Sequence, residues 1–278
     1  MKTQKKGILV FLCIAFGAAW IPLVIQYFLG LRSLGNQATL WDYVIFTVLT
    51  IPTSFAPALA ALIVRRWVTR EGFADAGLRL NFRKAWRCYL MALFYPIIIV
   101  GIALFLVMLT RPGQINFSTM KISVILQMFV LAVASTPVIW GEEFGWRGYL
   151  QIRLFAERAL LAAAATGVIW GIWHYPMILL GFLFSGDPLG LVLYPVNMVI
   201  TSILYGWLFS RSRSIWTASL AHSAGNTIIN PVLALLLPNA EWPIVWAGYR
   251  LVGLVVLCVI LISLKGRSRR ESELSYVP

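Results

Sequence analysis

Charge is scarce in this chain, and what there is lies unevenly. Only 12% of its 278 residues are Asp, Glu, Lys or Arg, against roughly a quarter in soluble domains. Acids number ten and histidines two. Cysteine is nearly absent: Cys13, Cys88 and Cys258 lie in or beside separate apolar blocks and form no C-x-x-C pair. That excludes a disulfide framework, and the three read as small buried hydrophobes. No polar stretch is long enough for a soluble domain. The longest, Arg65 to Arg87, is too short to bury its own core and is expected to lie along the membrane surface. No internal repeat or low-complexity linker is evident.

What is present is apolar sequence in long blocks: 60% of residues are hydrophobic, in runs of about 20, the length a helix needs to cross a bilayer. The expected fold is all-α, a single integral membrane domain over residues 1–278 with about eight transmembrane helices. The candidate spans are Ile8–Leu29, Trp41–Val64, Trp86–Thr110, Ile122–Trp140, Leu160–Phe182, Leu189–Phe209, Ile215–Leu237 and Trp242–Leu264. Pro52, Pro57, Pro96, Pro176, Pro195 and Pro231 fall within them and are read as kinks, which membrane helices tolerate. The basic start at Met1–Lys6 resembles a signal peptide, but the apolar stretch after it exceeds a signal core and closes on no small-residue cleavage site. It is read as a retained first helix.

The formal net charge is +13. A nucleic-acid binder collects such charge on one soluble face; here it sits in short runs between apolar blocks, which excludes nucleic acid as a partner. The bilayer itself is the expected surrounding. The N-terminal segment, the Arg65–Arg87 connection, the Arg147–Arg158 connection, Arg211 with Arg213, and the tail from Lys265 hold most of the Lys and Arg. Alternate connections hold few. The positive-inside rule then places both termini in the cytoplasm of a multi-pass protein of the plasma (inner) membrane. Residues 265–278 are expected to be a disordered tail.

Against this background a few polar groups stand out. A charge at mid-bilayer costs roughly 2.5–3.5 kcal/mol, which makes it a functional candidate by default. Three apolar blocks each carry one cluster. The first is Gly141-Glu142-Glu143-Phe144-Gly145-Trp146-Arg147. Glu143 and Arg147 are i and i+4 and can pair along one helix face. Glu142 is turned about 100° away from that partner. An unpaired, poorly solvated carboxylate titrates nearer neutrality, which suits a general base. The second cluster, Trp170-Gly171-Ile172-Trp173-His174-Tyr175-Pro176, puts an imidazole beside a proline that opens the helix. The third, His222-Ser223-Ala224-Gly225-Asn226, places His222 and Asn226 one turn apart, a donor pair of the kind that stabilises an oxyanion. Gly141/Gly145, Gly167/Gly171 and Ala221/Gly225 have small-x-x-x-small spacing, which lets helix backbones approach. The three helices are therefore expected to pack together around a shared site.

The depths test that expectation. Counted from the span ends at 1.5 Å per residue, Glu142 lies at the membrane edge, His222 about 10 Å in and His174 about 21 Å in. A single site requires the fourth helix to run past Glu142 and the fifth to enter nearer Ala165.

Glu142-Glu143-x-x-x-Arg147, then Trp170-x-x-x-His174, then His222-x-x-x-Asn226 resemble, in order, the motifs of the CPBP family. It includes the type II CAAX prenyl proteases and bacterial proteins linked to bacteriocin processing and self-immunity. The resemblance covers Glu142 to Asn226, within a core at 122–237, and draws nothing from the first four spans. One departure is Trp170, where the family often has Phe. The resemblance implies an endopeptidase with a cavity open to the cytoplasmic side and a membrane-associated or hydrophobic peptide as substrate. Glu142 and His174 would activate a water, His222 and Asn226 would stabilise the oxyanion, and Glu143, Arg147 and Trp170 would support the site. It leaves two modes open: a divalent metal such as zinc on Glu142, His174 and His222, or a water activated directly by side chains. Asn226 is a poor zinc ligand and no H-E-x-x-H occurs, which favours direct activation. A non-enzymatic immunity or partner-regulating protein and a proton-coupled transporter are the alternatives. The residues are silent on oligomeric state.

Overall fold

In the computed structural model, residues 2–31, 40–155, 157–182, 189–238, 248 and 250–259 are described, and all regular structure among them is helical. The helices are α1 (Lys2–Phe28), α2 (Leu40–Ile63), α3 (Phe82–Thr110), α4 (Ile122–Gly145), α5 (Ala159–Trp173), α6 (Tyr175–Leu179), α7 (Gly190–Ser212), α8 (Ile215–Ala224), α9 (Asn230–Leu236) and α10 (Arg250–Val259). Five of the described helical stretches are long and apolar enough to cross a membrane: Thr3–Phe28, Val48–Val68, Phe82–Thr110, Ile122–Gln151 and Gly190–Ser212. Large apolar side chains such as Phe105, Met108, Leu126 and Val130 stand exposed along them. Water would penalise such a surface and lipid does not, so the fold is a polytopic membrane bundle. The tail 265–278 and much of Trp242–Leu264 lie outside the described residues.

Several boundaries move. The fourth helix does not stop at Trp140: α4 runs to Gly145 and continues as a π-helical turn, Trp146–Gln151. The fifth span, expected unbroken over Leu160–Phe182, breaks at His174, which ends α5 and precedes the short α6. Pro176 and Pro231 sit at the first turns of α6 and α9. At α6 the missing N–H has no intrahelical acceptor to lose, so Pro176 starts a helix; Pro231 follows directly on the π-turn Gly225–Ile229, within an unbroken helical run.

The connection between α2 and α3 is tied to the helical bundle. After a π-turn at Val64–Val68, the buried Arg65 donates from Nη2 to the Gly148 carbonyl at 2.7 Å and from Nη1 to Asp75 Oδ1 at 2.8 Å. Arg153 adds bonds to Glu71 at 2.6 Å and to Asp75 at 3.3 Å. Two arginines thus latch residues 71–75 onto the end of the α4 extension and satisfy a carbonyl that the π-turn leaves open. Burial works to raise the Asp75 carboxyl above its ordinary 3.8, but the Arg65 hydrogen bond and the charges of Arg65 and Arg153 outweigh it and hold the group lower. A depressed carboxyl stabilises the fold above its unfolded value, and that stability is lost as pH falls through the folded value. Asp75→Asn is therefore expected to lower the thermal midpoint at pH 7 and to leave it unchanged well below pH 3.8. The side chain is half exposed, so the loss is about 1 kcal/mol or less.

The small-residue pairs act otherwise than the spacing suggested. A Cβ on Gly145 would run into the backbone of Pro57, and one on Gly141 would lie 2.7 Å from Phe55, both on α2. A Cβ on Gly167 would meet Val199 Cα at 2.5 Å, and one on Gly171 Pro195 Cα at 2.8 Å, both on α7. At Gly225 a Cβ would meet the hydroxyls of Tyr95 and Tyr205. Each pair seats its helix against a supporting neighbour, and the polar faces of α4, α5 and α8 are left to meet one another. Ser202 Oγ donating to the Ala163 carbonyl and Ser223 Oγ to the Ala132 carbonyl, both at 2.7 Å, tie α7 to α5 and α8 to α4. Trp173 Nε1 donating to the Ala15 carbonyl at 3.0 Å ties α5 to α1. Such bonds contribute about 0.6 kcal/mol each in a membrane interior.

Candidate active site

All three polar clusters fall where a helix loses its regular geometry. The Trp146 N–H, beginning the π-turn of α4, donates to the carbonyls of both Glu142 and Glu143. The Gly225 N–H, beginning a π-turn over Gly225–Ile229, donates likewise to those of Ala221 and His222. α5 ends at His174, whose N–H reaches the Gly171 carbonyl at 3.1 Å. π-turns widen a helix by one residue and recur at functional sites.

Glu142, Glu143, Arg147, Trp170, His174 and His222 are all buried, and Trp170 joins them. Its Nε1–H donates to Glu142 Oε2 at 3.2 Å. Its ring lies 5.0 Å from the His222 ring and 5.7 Å from the His174 ring, both edge to face. The Arg147 guanidinium stacks 4.6 Å above it. Trp170, expected only to support the site, is thus the centre of the cluster, and Glu142, which lacks the Arg147 pairing, has this indole N–H instead. A Phe here could not supply that donor.

Glu143 does what its spacing suggested and more. Its Oε1 accepts from Arg147 Nη1 at 3.1 Å and from His222 Nδ1 at 2.9 Å. His174 Nδ1 lies 2.8 Å from the Trp170 carbonyl. A carbonyl only accepts, so Nδ1 carries the proton and Nε2 has a free lone pair. His222 likewise donates from Nδ1, to a carboxylate. In its doubly protonated form, whose charge Glu143 balances, Nε2–H is a donor as well. Both imidazoles are thus oriented through Nδ1, which leaves Nε2 of each for a further partner.

Asn226 is placed apart from these contacts. It is exposed and lines an open cleft of about 380 Å³ with Val124, Gln127, Met128, Leu131, Thr227 and Pro231, a lining that omits Glu142, His174 and His222. Among the described residues, no group of three or more His, Cys, Asp or Glu side chains is disposed to hold a metal ion.

Two tyrosines that the motifs do not mark belong to the cluster. Tyr205 on α7 stacks on the His222 ring at 5.6 Å and 28° and lies 5.3 Å from the Arg147 guanidinium. Its hydroxyl meets that of Tyr95, from α3, at 3.0 Å, and Tyr95 donates to the Ala221 carbonyl at 3.1 Å. That carbonyl also receives the Gly225 N–H, so the pair grips α8 where its π-turn begins. The available signal was a tyrosine in an apolar span, since a buried hydroxyl needs a partner. Tyr205→Phe keeps the ring and loses about 1 kcal/mol with the hydroxyl bond. Tyr205→Leu also loses the contacts to His222 and Arg147, and is expected to cost about 2 kcal/mol more in thermal unfolding.

Residues 121–228 match the family model described as type II CAAX prenyl endopeptidase Rce1-like. The matched stretch runs from the start of α4 through His222 and Asn226, and includes every residue of the three clusters. No curated protein matches the chain.

Proposed function

We propose that the protein is an intramembrane endopeptidase that hydrolyses a peptide bond of a membrane-attached or hydrophobic peptide, near the cytoplasmic face of the plasma membrane, by means of a side-chain-activated water. The observation that carries this reading is the buried union of Glu142, Trp170, His174, His222, Glu143 and Arg147 inside apolar helices of a CAAX-endopeptidase-like domain. Burying so much polarity in a bilayer is costly without a use for it.

In the proposed sequence, water sits between Glu142 and His174 Nε2. Glu142 takes its proton as the oxygen attacks the scissile carbonyl, while His174 accepts a hydrogen bond and orients it. Charge develops on the carbonyl oxygen. His222 Nε2–H stabilises it, with Glu143 balancing the imidazolium from the other ring nitrogen. The Asn226 amide is the second donor, approaching from the cleft side as substrate fills that cleft. Glu142 then returns the proton to the leaving amine. Arg147, stacked between Trp170 and Tyr205, pairs with Glu143 and holds it in place.

The test uses wild type, Glu142→Ala and His174→Ala purified in detergent and offered a library of hydrophobic peptides, with and without a chelator. The reading expects cleavage by wild type alone, insensitive to the chelator. No cleavage by well-folded wild type rejects it, and loss on chelation would move the chemistry to a metal.

A further inference from the structure

Outside the site, one end of the bundle carries an unbalanced charge. The sequence has no acid between Ala76 and Trp140, or between Leu189 and Ala240. The acids of the α2–α3 connection are engaged elsewhere, Glu71 by Arg153 and Asp75 by Arg65 and Arg153. Arg79, Arg83, Lys84, Arg87, Arg211 and Arg213 are all exposed, and no ion pair among the described residues includes any of them.

These cations come from segments more than a hundred residues apart, yet the fold sews them together. Asn81 Nδ2 donates to the carbonyls of Ser212 at 3.4 Å and Arg213 at 3.1 Å. The Ile215 N–H donates to the Gly77 carbonyl and Trp216 Nε1 to the Leu78 carbonyl, each at 2.9 Å. Tyr89 Oη lies 3.2 Å from Ser214 Oγ. Arg211 stands within electrostatic reach of Cys88, the neighbour of Arg87. Among the described residues no acidic side chain pairs with these cations, so the surface favours a bound anion.

Its position says which anion. The cations ring the first turns of α3 and the last turn of α7, two helices able to span the bilayer, so they lie at headgroup depth. Leu78, Leu80, Phe82 and Trp86 stand exposed among them, and the Arg87 guanidinium lies 5.3 Å over the Trp86 ring. Apolar and indole side chains interleaved with cations match an interface with acyl chains below and phosphates above. We propose that this α3–α7 surface binds the headgroup phosphates of anionic phospholipids.

The test is made on the full chain in neutral detergent micelles. Phosphatidylglycerol, phosphatidylcholine and glycerol 3-phosphate are titrated separately, with thermal unfolding and native mass spectrometry as readouts. Phosphatidylglycerol is expected to raise the midpoint and to stay bound, and the other two to do neither. High salt should weaken the effect. Arg83→Gln, Lys84→Gln, Arg87→Gln and Arg211→Gln should each weaken phosphatidylglycerol binding about fivefold, while Arg158→Gln, at another connection, should not. The single changes keep the test usable if a multiple variant fails to fold. Equal binding by all variants, or equal effects of phosphatidylcholine, overturns the proposal. An effect of glycerol 3-phosphate matching that of the lipid would make the site one for soluble phosphate and overturn it too.

Discussion

Glu142→Gln is expected to lower kcat/KM for peptide cleavage by about 10³-fold, within the 10²–10⁴ range of a lost general acid–base group, while the fold stays intact. The substitution is nearly isosteric. The new amide oxygen can still accept from Trp170 Nε1, which lies 3.2 Å from Glu142 Oε2, so the indole keeps its partner. What disappears is the ability to take a proton from water. The buried carboxylate also carries a larger desolvation cost than the amide, so the midpoint of Glu142→Gln should equal or exceed that of wild type. Steady-state kinetics alongside thermal unfolding in one detergent read both quantities. An active Glu142→Gln would remove Glu142 from the chemistry. An inactive but unfolded one would make it structural.

Arg147→Ala is expected to be the most destabilising single change in the cluster, at about 3–5 kcal/mol, the cost of stranding one member of a buried ion pair. Arg147 and Glu143 are both fully buried and bonded at 3.1 Å, and the same carboxylate oxygen receives His222. Removing the guanidinium leaves Glu143 unbalanced in an apolar interior and empties the space between the Trp170 and Tyr205 rings. Arg147→Lys should recover part of the loss: it restores charge but not the planar group that stacks on two rings. The double variant Glu143→Gln/Arg147→Met should be more stable than Arg147→Ala, since it also removes the carboxylate that Arg147→Ala strands. It should also be inactive, because His222 loses its carboxylate. A double variant no more stable than Arg147→Ala would show that packing, rather than charge, dominates at this position.

The legible part of the site was local. Glu143 and Arg147 pair because they are one helical turn apart, and any helix through them enforces it. His174 reaches the carbonyl of Trp170, four residues back, for the same reason. The illegible part crosses between helices. That Trp170 bonds Glu142, 28 residues away, and that His222 bonds Glu143, 79 residues away, depends on how α4, α5 and α8 are rotated. Periodicity shows which residues share a face, but not which face meets which. Tyr95 was out of view because the first four spans carry none of the recognised motif, yet α3 is what brings its hydroxyl to the Ala221 carbonyl. The π-turns after Gly145 and after Ala224 were equally hidden, since a regular helix and a widened one share the same apolar pattern.

The sequence by itself determined that the chain is a helical membrane protein, because apolar runs of spanning length leave the backbone no other way to pair its polar groups in lipid. It also determined which side chains are too costly to bury there without a purpose. Tertiary structure alone decided how those side chains meet. It set glycine-bearing faces of α4 and α5 against α2 and α7, turned the polar faces inward, and put a tryptophan at their meeting point. Contacts of that kind depend on the rotation and close approach of whole helices, quantities that residue order along one helix does not contain.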